Sequence, residues 1–212
     1  MINNIQVLRA IAALMVVYFH TIGVLNSYDM SMPWTLQAFY SRWGAFGVDI
    51  FFVISGFIMV YVNRNQTKNF YHFMYDRLAR IVPLYWFFTF LFVGLYCTFP
   101  EAFRAKAIDT ADVFGSLFFY QQLIRKDSPV LMLGWTLEYE MVFYFIFGLS
   151  LFAKALQRTV LIASSILILF VIAGMDYIVL EFILGMIIAW FYVSNSAIKL
   201  HNLMAILSVT LG

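Results

Sequence analysis

The sequence predicts an all-α fold, a polytopic transmembrane helix bundle of about six complete spans plus a truncated seventh. Two observations predict it. Of 212 residues, 64% are hydrophobic and only 11% charged, whereas a soluble domain carries about 25% charged residues, so the chain cannot cover a water-facing surface with polar groups. Apolar runs also recur at the length of about 20 helical residues that crosses a ~30 Å hydrocarbon layer. Composition excludes another class: 13 Lys+Arg stand against 11 Asp+Glu, with no long basic run to form a nucleic-acid footprint.

The first span, residues 5–25, has no basic stretch ahead of it, carries Arg9 inside, and lacks a small-x-small site near Leu25. It reads as a retained helix rather than a signal peptide. The next spans fall at 44–62, 81–99 and 133–156. Two shorter ones, 159–174 and 178–193, are separated by Met175, Asp176 and Tyr177 and read as a tight helical hairpin. A seventh begins near Leu203 and reaches Gly212, which reads as part of a longer polytopic protein lacking its C-terminal helices here. Residues 111–124 are apolar but too short to span, and read as an interfacial or re-entrant segment. No repeat, low-complexity tract or linker interrupts the chain, so 1–212 reads as one domain. The single cysteine, Cys97, reads as a small buried hydrophobe.

With the N-terminus cytoplasmic, Arg64, Lys68, Arg77, Arg80, Lys154, Arg158 and Lys199 lie inside and Arg42, Arg104, Lys106, Arg125 and Lys126 outside. The positive-inside rule therefore favours a cytoplasmic N-terminus.

Ionisable residues within spans are functional candidates by default: Arg9, His20, Asp49, Glu138, Glu140 and Glu181. Arg9 and His20 lie eleven residues apart, three helical turns plus about 20°, so one helix face bears both, about 16 Å apart along the axis. An isolated Arg9 would snorkel to the headgroups and an isolated His20 would simply pack; their shared face points toward function. His20, Asp49 and Glu140 fall at similar depth in the outer half of their spans. Interfacial exposure is an equal alternative for Asp49 and Glu181. Glu138 points about 200° away from Glu140, toward a different environment. On the cytoplasmic side Arg77 and Arg80, one turn apart ahead of Pro83, make either a fork for phosphate groups or a positive-inside anchor.

Other templates fail. There is no G-x-S-x-G elbow around Ser55, no P-loop, no H-E-x-x-H and no cysteine/histidine cluster for a metal. His72 with Asp76 reads as solvated surface, His201 as interfacial, and Gly44, Gly47 and Gly56 as close-packing sites.

The runs LRAIAALMVVYFH, GVDIFFVISGFIM, RLARIVPLYW and GWTLEYEMVFYFIF, in this order over residues 5–150, closely resemble the acyltransferase 3 family of integral membrane acyltransferases. LEFILGMIIAW, with Glu181 and Gly185, resembles the subgroup that O-acetylates bacterial exopolysaccharides. The resemblance implies an acyl-CoA donor, commonly acetyl-CoA, on the cytoplasmic side of the bacterial inner membrane, a glycan or other hydroxyl acceptor, and no permanently bound cofactor. Arg9 would contact the CoA portion, His20 would act at the thioester and acceptor hydroxyl, Arg77 and Arg80 would form the family's paired-arginine motif, and Glu140 its fourth-helix acid. Family domains usually have about ten spanning helices of about 20 residues each, so the last three or so would lie beyond this sequence.

The chemistry expected is direct transfer. A neutral His20 accepts the proton of the attacking hydroxyl while Glu140 or Asp49 orients the imidazole; an acyl-histidine intermediate is the alternative. A transporter or flippase using the same charges, and a non-catalytic fragment, are the rival readings.

Overall fold

The computed structural model describes residues 2–27, 34–65, 69–103 and 107–194, and among these every regular element is helical. Eight α-helices follow in order: α1 (Ile2–Ser27), α2 (Trp34–Val62), α3 (Phe70–Thr98), α4 (Thr110–Leu117), α5 (Gln121–Arg125), α6 (Gly134–Ser150), α7 (Leu156–Ile172) and α8 (Leu180–Ser194). Among the described residues, four stretches are long and apolar enough to cross a membrane: Asn4–Gly23, Phe70–Thr98, Gly134–Ala153 and Tyr177–Ser194. Phe46–Val62 within α2 and α7 itself are shorter apolar helices. The seventh span from Leu203, with Lys199, His201, Lys68, Arg104 and Lys106, lies outside the described residues, as does the side chain of Arg42.

Two helices begin earlier than hydropathy predicts. α2 starts at Trp34 instead of 44, and α3 at Phe70 instead of 81. Asn69 caps α3 by accepting the His72 N–H at 2.9 Å, which satisfies one of the four orphan donors of a first turn. The backbone then stays helical through Asp76, Arg77 and Arg80 and past Pro83. Arg77 and Arg80 therefore sit inside a span-length helix rather than ahead of one, because hydrogen bonding, not apolar content, sets the helix end.

Helix α2 is central. It packs against α1 on one side and α8 on the other, while α6 packs against α3, α5 and α7. The α2/α8 crossing is a backbone contact: a Cβ on Gly56 would lie 2.2 Å from Phe182 O, and one on Gly185 would lie 2.0 Å from Val53 O. Small residues at such crossings let helices approach where no hydrophobic force drives them together. Gly47 meets α1 in the same way, at the Ala12 carbonyl, while Gly44 packs against the Phe19 side chain. Above the crossing, Phe182 of α8 stacks on Phe143 of α6 at 4.3 Å and lies 4.6 Å from Phe52 of α2, so one buried ring joins three helices.

The α7–α8 hairpin forms as expected. Gly174 takes φ +101° just beyond α7, a left-handed conformation that glycine tolerates at a helix end. Asp176 then accepts the Ile178 N–H at 3.0 Å. The 111–124 segment resolves into α4 and α5, joined through Phe119 at φ 59°, neither long enough to span. Asp109 and Asp112 form a reciprocal capping box at the start of α4. Buried Gln121 donates to Asp112 Oδ1 at 2.8 Å, and Arg125 reaches the same oxygen at 3.1 Å.

Cys97 departs from expectation, being exposed on α3 instead of buried. Most of α3 is likewise uncovered by protein, with Phe87, Phe88 and Phe90 all exposed. Lipid tails are as apolar as a protein core, so apolarity in a membrane helix does not imply contact with protein. His72 is exposed, 3.9 Å from Asp76, as its polar setting predicts.

Candidate active site

One open cavity of about 610 Å³ is lined mainly by α1, α2, α3 and α6. Its lining includes Arg9 and His20 from α1, Asp49 and Ser55 from α2, Arg77 and Arg80 from α3, and Glu140 and Tyr144 from α6. Six of the eight ionisable residues singled out by sequence, on four helices, thus line a single space. Its remaining walls are largely apolar, with Phe52, Ile58, Met59, Ile81 and Trp135 among them. A few convergent polar groups in an apolar cleft of this size is the usual form of a small-molecule site.

Each position has a local cause. The eleven-residue spacing brings Arg9 and His20 to the same face of α1, and Phe19 meets the His20 ring edge-on with centroids 5.4 Å apart. Glu140 and Tyr144 are four residues apart on α6, hence neighbours on one face. Tyr144 donates to Glu140 Oε1, and Ser55 of α2 donates to the same oxygen at 2.8 Å. The two hydroxyls are themselves 3.3 Å apart. Arg77 sits with its guanidinium carbon 5.8 Å from the Phe73 ring centroid and 6.0 Å from that of Tyr144, and its Nε is buried with no hydrogen-bond partner among the described residues.

The remaining candidates are uncommitted. Among the described residues no hydrogen bond or ion pair engages Arg9, His20, Asp49 or Arg80, and none links His20 to Asp49 or Glu140. Glu181 is outside the lining, although its carboxylate is within electrostatic reach of Asp49. Glu138 is also outside it, as its rotation from Glu140 predicts: it is fully buried and accepts the N–H groups of Gln122 and Leu123 at 2.9 and 3.1 Å. It caps α5, placing an acceptor where a helix start leaves donors unsatisfied. No group of three His, Cys, Asp or Glu side chains among the described residues is arranged to hold a metal ion.

Ser55 and Tyr144 escaped the sequence reading. Ser55 belongs to no nucleophile motif, and its partner is 85 residues away. Tyr144 carried a usable signal, the four-residue spacing from Glu140.

Chemically, the cavity offers three guanidiniums for anionic groups, an imidazole able to accept a proton, and carboxylates that can stabilise the resulting imidazolium. The chain belongs to the acyltransferase 3 family, whose model, described as an acyltransferase domain, matches residues 2–212. It is also similar to the exopolysaccharide production protein ExoZ of Rhizobium meliloti (strain 1021), at 36% identity over 187 residues, covering 80% of this chain and 57% of that protein. The chain thus spans little more than half the length of this curated relative. No solved structure matches it.

Proposed function

We propose that the protein is a membrane O-acyltransferase that moves an acyl group, in the simplest case acetyl, from cytoplasmic acyl-CoA to a hydroxyl of a glycan in exopolysaccharide production. The observation that carries this reading is the single cavity lined by Arg9, His20, Asp49, Arg77, Arg80 and Glu140 in a chain of an acyltransferase family. The kinship with an exopolysaccharide production protein supports the acceptor class.

In this reading Arg9, Arg77 and Arg80 hold the CoA phosphates, where the fixed fork of arginine suits phosphate oxygens. The acceptor oxygen attacks the thioester carbonyl carbon as His20 takes its proton. The carbon–sulfur bond then breaks, the thiolate recovers that proton, and the products are the ester and free CoA. Glu140 or Asp49 stabilises the imidazolium. The membrane is the bacterial inner membrane, with the N-terminus cytoplasmic and α1, α2, α3, α6, α7 and α8 as six spans ahead of a seventh. The 17 residues of α7, an apolar helix, reach about 26 Å at 1.5 Å per residue, close to the hydrocarbon thickness.

The test is thiol release from acetyl-CoA by membranes containing the native protein, with and without an exopolysaccharide precursor. Release that depends on the acceptor, with label recovered in an ester, is expected. Saturable movement of an intact solute without CoA release would replace the enzyme with a transporter.

A further inference from the structure

Glu140 is held in an asymmetric way. Both side-chain hydrogen bonds that reach it arrive at Oε1, one from Ser55 across the α2/α6 interface and one from Tyr144 a helical turn along α6. Oε2 has no hydrogen bond among the described residues and is not among the buried unpartnered atoms, so it is open to the cavity that Glu140 lines. The two donors are themselves fixed. Ser55 and Tyr144 are buried at 7% and 5% exposure, Phe73 and Phe143 pack against the Tyr144 ring, and Arg77 lies beside the same ring.

A carboxylate in an apolar cleft requires donors, and hydroxyl bonds to a charged oxygen are about twice as strong as neutral ones. Two donors on one oxygen fix the rotation of the carboxylate and leave the other oxygen with its full accepting capacity. Neither hydroxyl needs to meet a substrate to have this effect.

We propose that Ser55 and Tyr144 are positioning residues for the transfer step: they anchor Glu140 through Oε1 so that Oε2 takes the hydrogen bond from His20 or from the acceptor hydroxyl. This rests on the acyltransferase reading of the cavity. It assigns to Ser55 a role as a fixed donor and not as a nucleophile. It also connects the arginine end of the cavity to the acid through the Tyr144 ring, so donor binding and orientation of the acid share one side chain.

The test uses the native protein in membranes, with acyl transfer to the acceptor as readout. Tyr144→Phe and Ser55→Ala each remove one hydroxyl at nearly constant volume and should lower kcat about tenfold, with the KM for acyl-CoA within about twofold of the parent. Ser55→Thr, which keeps the hydroxyl, should restore most of the loss. In a Glu140→Gln background the same two substitutions should add less than about twofold, since the anchored charge is already gone. Unchanged kcat in both single variants, or full additivity with Glu140→Gln, would overturn the positioning role while leaving the enzyme reading intact. A parent protein with no acyl transfer would overturn the enzyme reading itself, and the positioning role with it.

Discussion

The crossing of α2 and α8 bears on the α2 residues of the candidate site, Asp49 and Ser55, and one added methyl group tests it. A Cβ at Gly185 would lie 2.0 Å from the Val53 carbonyl oxygen and 2.9 Å from Phe57 N. Both neighbours are backbone atoms, so no side chain can rotate away. Recovering an ordinary contact of 3.4 Å requires the helices to part by about 1.4 Å in a close-packed interior. Overpacking of this kind costs about 1–3 kcal/mol, or a fall of about 2–12 °C in Tm for a chain of this size. The displaced helix carries Asp49 and Ser55, and a shift of that size along the 2.8 Å contact from Ser55 to Glu140 would break it. Misplacement by about 1 Å can reduce turnover about 100-fold. Gly94→Ala on α3 is the matched control, because its Cβ would meet nothing within 4 Å and alanine is better than glycine in a helix interior by about 1 kcal/mol. Thermal unfolding of detergent-solubilised protein should therefore move in opposite directions for the two variants. A Gly185→Ala protein with parental Tm and activity would refute the packing argument.

Other outcomes follow from the same geometry. Arg9→Ala should weaken acyl-CoA binding by about 1.5–3 kcal/mol through loss of a charge-assisted contact, with Arg9→Lys a partial rescue; equal affinity of variant and parent, measured on folded solubilised protein, would remove Arg9 from the donor site. Glu138→Ala leaves the Gln122 and Leu123 N–H groups without their acceptor, at a cost of about 1–3 kcal/mol, and should speed tryptic cleavage at exposed Arg125 and Lys126; an unchanged cleavage rate would argue against Glu138 as the clamp on α5. In a Cys97→Ser background, cysteines at Asn65 and Glu101, which flank α3, should label from opposite sides with Asn65 cytoplasmic. Labelling of Asn65 from outside would invert the donor-inside arrangement.

Much of the helix plan is legible in hydropathy, because a span must be apolar over its whole length whatever it packs against. The hairpin at Met175–Tyr177 and the shortness of 111–124 follow from the same length requirement. The start of α3 does not, since Asn69 caps it and the turns carrying His72, Asp76, Arg77 and Arg80 stay helical without being uniformly apolar. The exposure of Cys97 shows the matching blind spot, because lipid and protein interior demand the same residue types.

The site was legible where periodicity suffices. Eleven residues align Arg9 with His20, and two residues turn Glu138 away from Glu140 toward α5. Lateral neighbours were not legible. Nothing in the spacing of Ser55 and Glu140, 85 residues apart, announces their contact; it depends on the crossing at Gly56 and Gly185, where two glycines meet opposing backbones.

The most direct test of the account is acyl transfer by His20→Gln in the native protein, with expression and acyl-CoA binding measured alongside. Glutamine keeps a hydrogen-bonding side chain but cannot accept the proton, and a general base contributes about 10²- to 10⁴-fold. Transfer should fall by that factor while acyl-CoA binding, carried in this reading by Arg9, Arg77 and Arg80, stays at the parental level. Near-parental transfer by folded His20→Gln would contradict it.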